Sequence, residues 1–276
     1  MSVPEIFLHN TISDIIKKYD LIAKKSLGQN FIINPSLTRK IVSIIDEIDD
    51  KVVLEVGCGP GCLTMAILEK NIKQLMIVEK DKKFSPLLKE IVSSCDNKVS
   101  VIFDDILEID FNSEFNEKII IIANLPYNIS TPFLLKSCVN SQYIAEMLLM
   151  FQKEVADRIT AVPGNKKFGR LSVMAQSFFD VSKVLNVNAS AFTPQPKVQS
   201  AVVHFKNNKK IPEDISGDDL ANITQLLFSQ RRKKISTILS SFKDLDQLNI
   251  DLNLRPDHLQ LSDFYMLSRF VKHSRN

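Results

Sequence analysis

The sequence predicts an α/β protein, in which an open and largely parallel sheet presents a ligand cleft and a small all-helical unit follows. Three observations predict it. Ile119-Ile120-Ile121-Ile122 is an unbroken β-branched run, as a strand buried on both faces requires, and it stops abruptly at Asn124-Leu125-Pro126-Tyr127. Val52-Val53-Leu54-Glu55-Val56 runs straight into Gly57-Cys58-Gly59-Pro60-Gly61, and Leu63 to Lys70 continues as a helix. Beyond residue 217 the β pattern disappears, and Leu220, Ile223, Leu226, Leu227, Ile235, Ile238, Leu239, Leu259, Phe264 and Leu267 recur at helical spacing.

The elements follow in order. Residues 1–25 read as a loosely attached arm with one short amphipathic helix. Ser26 to Asn34 reads as an ordered loop, and Asn34-Pro35-Ser36 starts a helix. Three of the chain's seven glycines fall in the single turn after Val56, so the backbone there bends tightly or is approached closely by a ligand. The spacing is not the dinucleotide fingerprint, and such a turn alone is weak evidence. The strand Leu75 to Val78 ends in Glu79, at about the distance where Rossmann-like folds place the acid that binds ribose hydroxyls; its position after an apolar run raises this reading above that of a solvated strand end. Phe84 to Ser94 reads as a helix, and a third strand, Val99 to Phe103, ends in Asp104-Asp105, which either accept from an adenine amino group or form a helix cap before Ile106. After Asn124 come a strand at Glu146 to Gln152, a helical segment at Val155 to Thr160, a basic loop at 162–169, a helix at Leu171 to Phe179, and strands at Val181 to Val187 and Ser200 to Phe205. The domain expectation is therefore an arm (1–25), a Rossmann-like domain (26–206), a charged linker (207–217) and a helical domain (218–276).

Composition narrows the function classes. With 276 residues, 45% hydrophobic and 24% charged, the chain has room for one large core and a smaller unit. No apolar stretch is long enough to span a bilayer. The N-terminus carries Glu5, Asp14 and Asp20 without a long apolar run, so a cytoplasmic location is expected by default. Cys58, Cys62, Cys95 and Cys138 show no zinc-type pairing and read as reduced thiols, so no metal is expected. A net charge of +3 does not by itself announce a nucleic-acid binder. The local clusters are more telling: Lys17-Lys18, Lys24-Lys25, Lys166-Lys167 with Arg170, Lys206 with Lys209-Lys210, and Arg231-Arg232-Lys233-Lys234, the last expected to spread around a helix. Each taken singly is more often a solvated face than a binding site.

Asn124 to Tyr127 suits the alkylation of a planar amine. A purine amino group is a poor nucleophile because its lone pair is delocalised into the ring. Hydrogen bonds from its N–H groups to the Asn124 side-chain oxygen and the Leu125 carbonyl would localise and aim that pair, while Tyr127 stacks on the base. A carbon attached to a cationic sulfur leaving group needs no strong general base. A plain turn, with Pro126 fixing φ and Asn124 capping, accounts for the tetrapeptide alone equally well. Phe192-Thr193-Pro194-Gln195-Pro196 makes a stiff loop, in which Phe192 is either a core plug or a second stacking face.

Taken together, Gly28-Gln29-Asn30-Phe31, Leu54-Glu55-Val56-Gly57 with Gly59, Glu79, Asp105, Asn124 to Ser130, Phe192 to Val198 with Ser200, and Phe228 to Lys234 make the chain resemble the small-subunit ribosomal RNA adenine N6,N6-dimethyltransferase family from about Ser26 to Leu239. The resemblance implies a Rossmann-like S-adenosylmethionine-dependent methyltransferase sheet with a small C-terminal all-helical RNA-binding domain. It implies S-adenosyl-L-methionine contacts at Asn30, Ile32, Gly57, Gly59, Glu79 (ribose), Asp105 (adenine) and Asn124, and a catalytic group of Asn124, Leu125, Pro126, Tyr127 and Phe192, the two aromatic rings clamping a flipped adenine. It implies RNA contacts at Lys197, Arg231, Arg232, Lys233 and Lys234. Cys58 stands where the family more often has proline.

The expected function is transfer of methyl groups to N6 of two adjacent adenines in the 3′-terminal hairpin of small-subunit ribosomal RNA, within an immature 30S-type particle, by a monomeric enzyme not bound to a membrane. Two rivals stand beside it: a large-subunit methyltransferase of the macrolide-resistance type, and a non-catalytic RNA-binding assembly factor. An amino-methylating DNA enzyme is disfavoured by Leu125, where proline is common, and by the basic C-terminus.

Overall fold

A computed structural model describes residues 3–24, 27–208 and 210–274. Lys25 and Lys209, two of the clustered cations, lie outside the described residues, as does Ser26. The chain begins with α1 (Glu5–His9), α2 (Ile12–Lys18), β1 (Phe31–Ile32) and α3 (Pro35–Val42). The alternating core follows as β2 (Val52–Val56), α4 (Cys62–Leu68), β3 (Gln74–Val78), α5 (Ser85–Ser93), β4 (Val99–Ile102), α6 (Phe111–Glu114), β5 (Ile119–Ala123) and α7 (Tyr127–Val139). Then come β6 (Ile144–Gln152), α8 (Lys153–Ile159), α9 (Arg170–Phe178), β7 (Phe179–Val187), β8 (Phe192–Thr193) and β9 (Ser200–Asn207). The last helices are α10 (Gly217–Ser229), α11 (Ile235–Ile238) and α12 (Leu261–His273).

Seven strands form one sheet in the order β4-β3-β2-β5-β6-β9-β7. The first five are mutually parallel, and β9 pairs antiparallel with both β6 and β7. The chain moves outward from β2 to β3 and β4, then returns to place β5 on the other side of β2. Strand order therefore reverses between β2 and β5, the switch point where open α/β sheets hold ligands beyond their carboxyl ends.

β5 is buried along its whole length because both faces of the sheet are covered. Ile119, Ile121 and Ala123 belong to one hydrophobic cluster, Ile120 and Ile122 to the other. Burying each isoleucine contributes roughly 1.5–3 kcal/mol relative to exposure, which is why a run without alternation is stable only in this central position.

Three expectations are corrected. The N-terminal residues are not a loose arm: Ile6, Phe7, Ile12, Ile15 and Leu21 are buried in the same cluster as the glycine turn. A Cβ on Gly61 would meet Phe7 Cζ at 2.7 Å, so this residue packs directly against the turn. Helices of five and seven residues are too short to declare a period, although Thr11 and Asp14 form a reciprocal capping box that marks the second. The stretch 207–217 also carries core residues, since Ile211 and Ile215 are 4% and 5% exposed. It lies against α9 through hydrogen bonds from the Lys210 and Ile211 amides to the Ser177 carbonyl. The C-terminal helices share one contiguous core with the sheet, α10 packing on α9 and α12. Finally, Arg231 to Lys234 form the turn between α10 and α11 and are not helical; the Lys233 amide donates to the Gln230 carbonyl at 2.8 Å, closing that turn.

No helix among the described residues is long and apolar enough to cross a membrane.

Candidate active site

Register aligns the ends of three strands. Val56 pairs with both Val78 and Ala123, so Gly57, Glu79 and Asn124, one residue beyond each, emerge side by side at the carboxyl edge. Two adjoining cavities open there and share Gln29, Gly57, Glu79, Leu125 and Pro126. Asn30, Ile32, Gly59, Asn124 and Tyr127 line the first, and Asp105 lines the second.

The glycine turn keeps the geometry a close ligand needs despite Cys58. Gly57, Gly59 and Gly61 all adopt positive φ, at 75°, 51° and 89°, a region costly for residues with a Cβ. A Cβ on Gly57 would meet nothing within 4 Å, so it would project into open space where a ligand backbone approach is otherwise possible. Gly59 lies against the Phe31 ring, which packs edge-on to Phe84 with centroids 5.9 Å apart, and both rings wall the cavity.

Glu79 is 6% exposed and is not a solvated strand end. Its Oε1 accepts from the Asp81 amide at 2.8 Å, and its Oε2 accepts from the Cys58 thiol at 3.6 Å. Burial pushes its pKa up, against those hydrogen bonds. Asp81, two residues on, pairs with Lys24 Nζ at 2.9 Å and thereby ties the N-terminal segment to the cleft. Burial alone would raise Asp81, but Lys24 and the Lys83 amide hold it below the ordinary value. Asp105 accepts from Lys80 Nζ at 2.7 Å and from the Leu107 amide at 3.0 Å, and the lysine holds its pKa down.

The Asn124 side chain is oriented by its own amide nitrogen, which donates to the Asn30 carbonyl at 3.0 Å. Among the described residues nothing donates to Asn124 Oδ1, so this oxygen faces the cavity as a free acceptor. Pro126 is the residue before α7, and Tyr127 opens that helix. The Tyr127 hydroxyl shares a 2.6 Å hydrogen bond with Ser200 Oγ, which fixes the ring at the cavity wall.

Six expected site residues line neither cavity: Phe192, Lys197 and Arg231 to Lys234. Phe192 is 3% exposed, a core plug: β8 pairs antiparallel with β1, Ile32 opposite Phe192, and this turns the ring into the second hydrophobic cluster. Lys197 is exposed and lines neither cavity. Sequence reasoning missed Phe84, Asp81 and the role of Cys58; only the spacing of Asp81 from Glu79 on a strand end offered a signal. Among the described residues no group of three or more His, Cys, Asp or Glu is placed to hold a metal ion.

A parallel sheet with this switch point, a glycine turn that leaves open space, a buried acid on the next strand and a cavity-facing amide on the third define an S-adenosylmethionine-dependent methyltransferase of the Rossmann-like class. The residues present fit that cofactor: the Glu79 and Asp105 carboxylates line the cavities as acceptors that a ribose and an adenine could use, and a Cβ on Gly57 would meet nothing within 4 Å. Within the class, residues 21–269 match the model of the family described as ribosomal RNA adenine dimethylase, and the chain belongs to that family. The ribosomal RNA small subunit methyltransferase A of Pelagibacter ubique (strain HTCC1062) is 40% identical over 253 residues, covering 89% of this chain and 95% of that protein. Among solved structures, a dimethyladenosine transferase from Plasmodium falciparum superposes with a TM-score of 0.70 at 27% identity, over 87% of this chain and 96% of that one. The 23S rRNA methyltransferase ErmE superposes at 0.67 with 21% identity, over 88% of this chain and 100% of that one, and shares the fold.

Proposed function

We propose that this protein transfers methyl groups from S-adenosylmethionine to N6 of two adjacent adenines in the 3′-terminal hairpin of small-subunit ribosomal RNA, within an immature 30S-type particle in the cytoplasm, acting as a monomer. The observation that carries the reading is the Asn124 amide, locked by Asn30 and presenting a free Oδ1 beside the glycine turn and Glu79.

When bound, S-adenosylmethionine supplies a methyl carbon made electrophilic by its sulfonium. The chain's residues do the rest. Asn124 Oδ1 and the Leu125 carbonyl accept the two N–H bonds of the target amine, which localises its lone pair and points it at the cavity. Tyr127 holds the face of a base taken out of its stack. Glu79 and Asp105 fix the donor by ribose and adenine, and the walls formed by Phe31, Phe84 and Leu125 exclude water. As the carbon–nitrogen bond forms, the carbon–sulfur bond would break to leave a neutral thioether, and the amine's proton would pass to solvent, so no strongly basic side chain is required.

The large-subunit alternative is disfavoured because the likeness to ErmE extends to fold alone, whereas the family match and the 40% identical relative concern adenine dimethylation and the small subunit. A purely binding role is disfavoured by the intact cleft. The test is methyl transfer from labelled donor to undermethylated small and large subunits. Label in adjacent adenines of the small-subunit 3′ hairpin supports the reading, and label confined to large subunits overturns it.

A further inference from the structure

Cys58 sits inside the glycine turn, 4% exposed, and lines the first cavity beside Gly57, Gly59 and Glu79. Its thiol donates to Glu79 Oε2 at 3.6 Å. The surroundings settle the direction of that bond. Burial, with Glu79 and Glu55 adding to it, pushes the Cys58 pKa well up, so the sulfur keeps its proton and acts as a donor.

Glu79 is held between opposing influences. Burial raises its pKa first of all and the neighbouring Asp81 adds to that, while the Asp81 amide, the Cys58 thiol and the Gly59 amide act the other way. Two of these donors are main-chain groups, which another residue at the same position would also supply. The thiol is the one side-chain donor to this carboxylate among the described residues. The other titratable groups around it do not take its place. Glu55, on β2, accepts from Thr64 of α4, and burial pushes its pKa up to about 8. Asp81 is committed to Lys24 of the N-terminal segment, and the adjacent Lys80 is committed to Asp105. Hydrogen bonds to the ionised form, rather than a paired cation, therefore keep the charge on Glu79. That charge matters to a ribose, whose hydroxyls are held more strongly by a carboxylate than by a neutral carboxyl.

We propose that Cys58 is a positioning residue for cofactor binding: its thiol holds Glu79 Oε2 in place at the cavity wall and thereby extends S-adenosylmethionine binding to lower pH than a turn without this donor would allow. It acts through Glu79 and not on the reacting atoms. The proposal rests on the reading of Glu79 as the ribose acceptor, and it gives the turn a task beyond the close backbone approach that its glycines permit.

Calorimetric titration with S-adenosylmethionine across about pH 5 to 8 tests it on the wild type, Cys58→Ala, Cys58→Ser and Glu79→Gln. Glu79 has a raised pKa, so its carboxylate is lost as pH falls through that value and wild-type binding weakens on the acid side. Without the thiol the loss begins earlier. Cys58→Ala should move the midpoint of this fall up by about 0.5 to 1 pH unit and weaken acid-side binding about 3- to 10-fold, the scale of one weak donor to a charged group. Cys58→Ser keeps a donor and should hold the midpoint nearer to wild type. If Cys58→Ala is too unstable to titrate, Cys58→Val, which fills the space and lacks the donor, replaces it with the same expected shift. A midpoint unmoved in the variants without a donor overturns the proposal. So does affinity lowered by one factor at every pH, which is the mark of a packing defect, or a serine midpoint no nearer to wild type than alanine's. Glu79→Gln separates this from the reading beneath it. Weakened, pH-independent binding in Glu79→Gln beside an unshifted Cys58→Ala removes only the thiol's role, whereas wild-type binding in Glu79→Gln overturns the ribose assignment and the role of Cys58 with it.

Discussion

The Asn124 side-chain nitrogen donates to the Asn30 carbonyl across 94 positions of sequence, at 3.0 Å. This one contact joins the loop before β1 to the end of β5. It also decides which end of the amide faces the cavity: with the nitrogen committed, the oxygen is left to accept. Asn124→Ala should therefore retain RNA binding and lose about 100-fold or more in kcat, the scale associated with removing a positioned polar group or misplacing a reactant by an ångström. Single-turnover methyl transfer with separately measured Kd values checks this; transfer at the wild-type rate would remove the amide from the chemistry.

Glu79, proposed to bind the ribose, holds its carboxylate at the cavity in a nearly buried position, with the Asp81 amide and Cys58 thiol already bound to it. Glu79→Gln replaces a charged acceptor and should weaken S-adenosylmethionine binding about 10- to 100-fold, the worth of one or two hydrogen bonds to a charged group. Calorimetric titration gives the value, and an unchanged Kd would place the ribose elsewhere.

Much of this edge was legible in the sequence. The Ile119 to Ile122 run can only be a doubly buried strand, and the residue after such a strand must stand at the sheet's edge. Gly57, Glu79 and Asn124 followed from that rule. Phe192 did not, because two prolines specify a stiff backbone but not which face the ring takes; pairing of β8 with β1 settles that, and it involves residues 160 positions apart in sequence (Ile32 opposite Phe192). Arg231 to Lys234 misled because consecutive cations carry no apolar period, so nothing local separated a turn from a helix. Residues 5–18 misled because their contacts, Phe7 on Gly61 above all, are long-range.

Tyr127 should act through its ring. Tyr127→Phe loses only the hydrogen bond to Ser200 and should keep kcat within a few-fold, whereas Tyr127→Ala should cost about 10- to 100-fold in kcat/KM, the range for one base–aromatic stack. Equal losses in the two variants would mean that the hydroxyl, and not the ring face, is what matters.

The two glycine contacts separate cofactor binding from packing. Gly57→Ala places a methyl in open cavity space at a φ costing roughly 1–2 kcal/mol, so it should weaken S-adenosylmethionine binding more than it lowers the melting temperature. Gly61→Ala drives a Cβ to 2.7 Å from Phe7 and should do the reverse, lowering the melting temperature by about 2–4 °C for each kcal/mol lost. Thermal melts with and without cofactor distinguish them.

Glu55 gives the stability a pH dependence. It is fully buried on β2, with Thr64 Oγ1 donating to Oε2 at 2.7 Å and Oε1 unpartnered. Burial pushes its pKa up to about 8, the Thr64 hydrogen bond opposing and the nearby Glu79 adding. Between the ordinary carboxyl value and about 8 the folded protein holds a proton that the unfolded chain has released, so stability falls as pH rises through that window. Glu55→Gln keeps the shape and the Thr64 contact without the titration. Its melting temperature should be flatter than wild type between pH 5 and pH 8, and parallel curves would show that Glu55 is ionised in the fold.

The most direct measurement is a crystal structure with S-adenosylmethionine bound. It should place the sulfonium between the Gly57 turn and Asn124 Oδ1, with the ribose hydroxyls on Glu79 and the adenine by Asp105. A donor bound with its sulfonium away from Asn124, or with its ribose off Glu79, would contradict the assignment of this cleft.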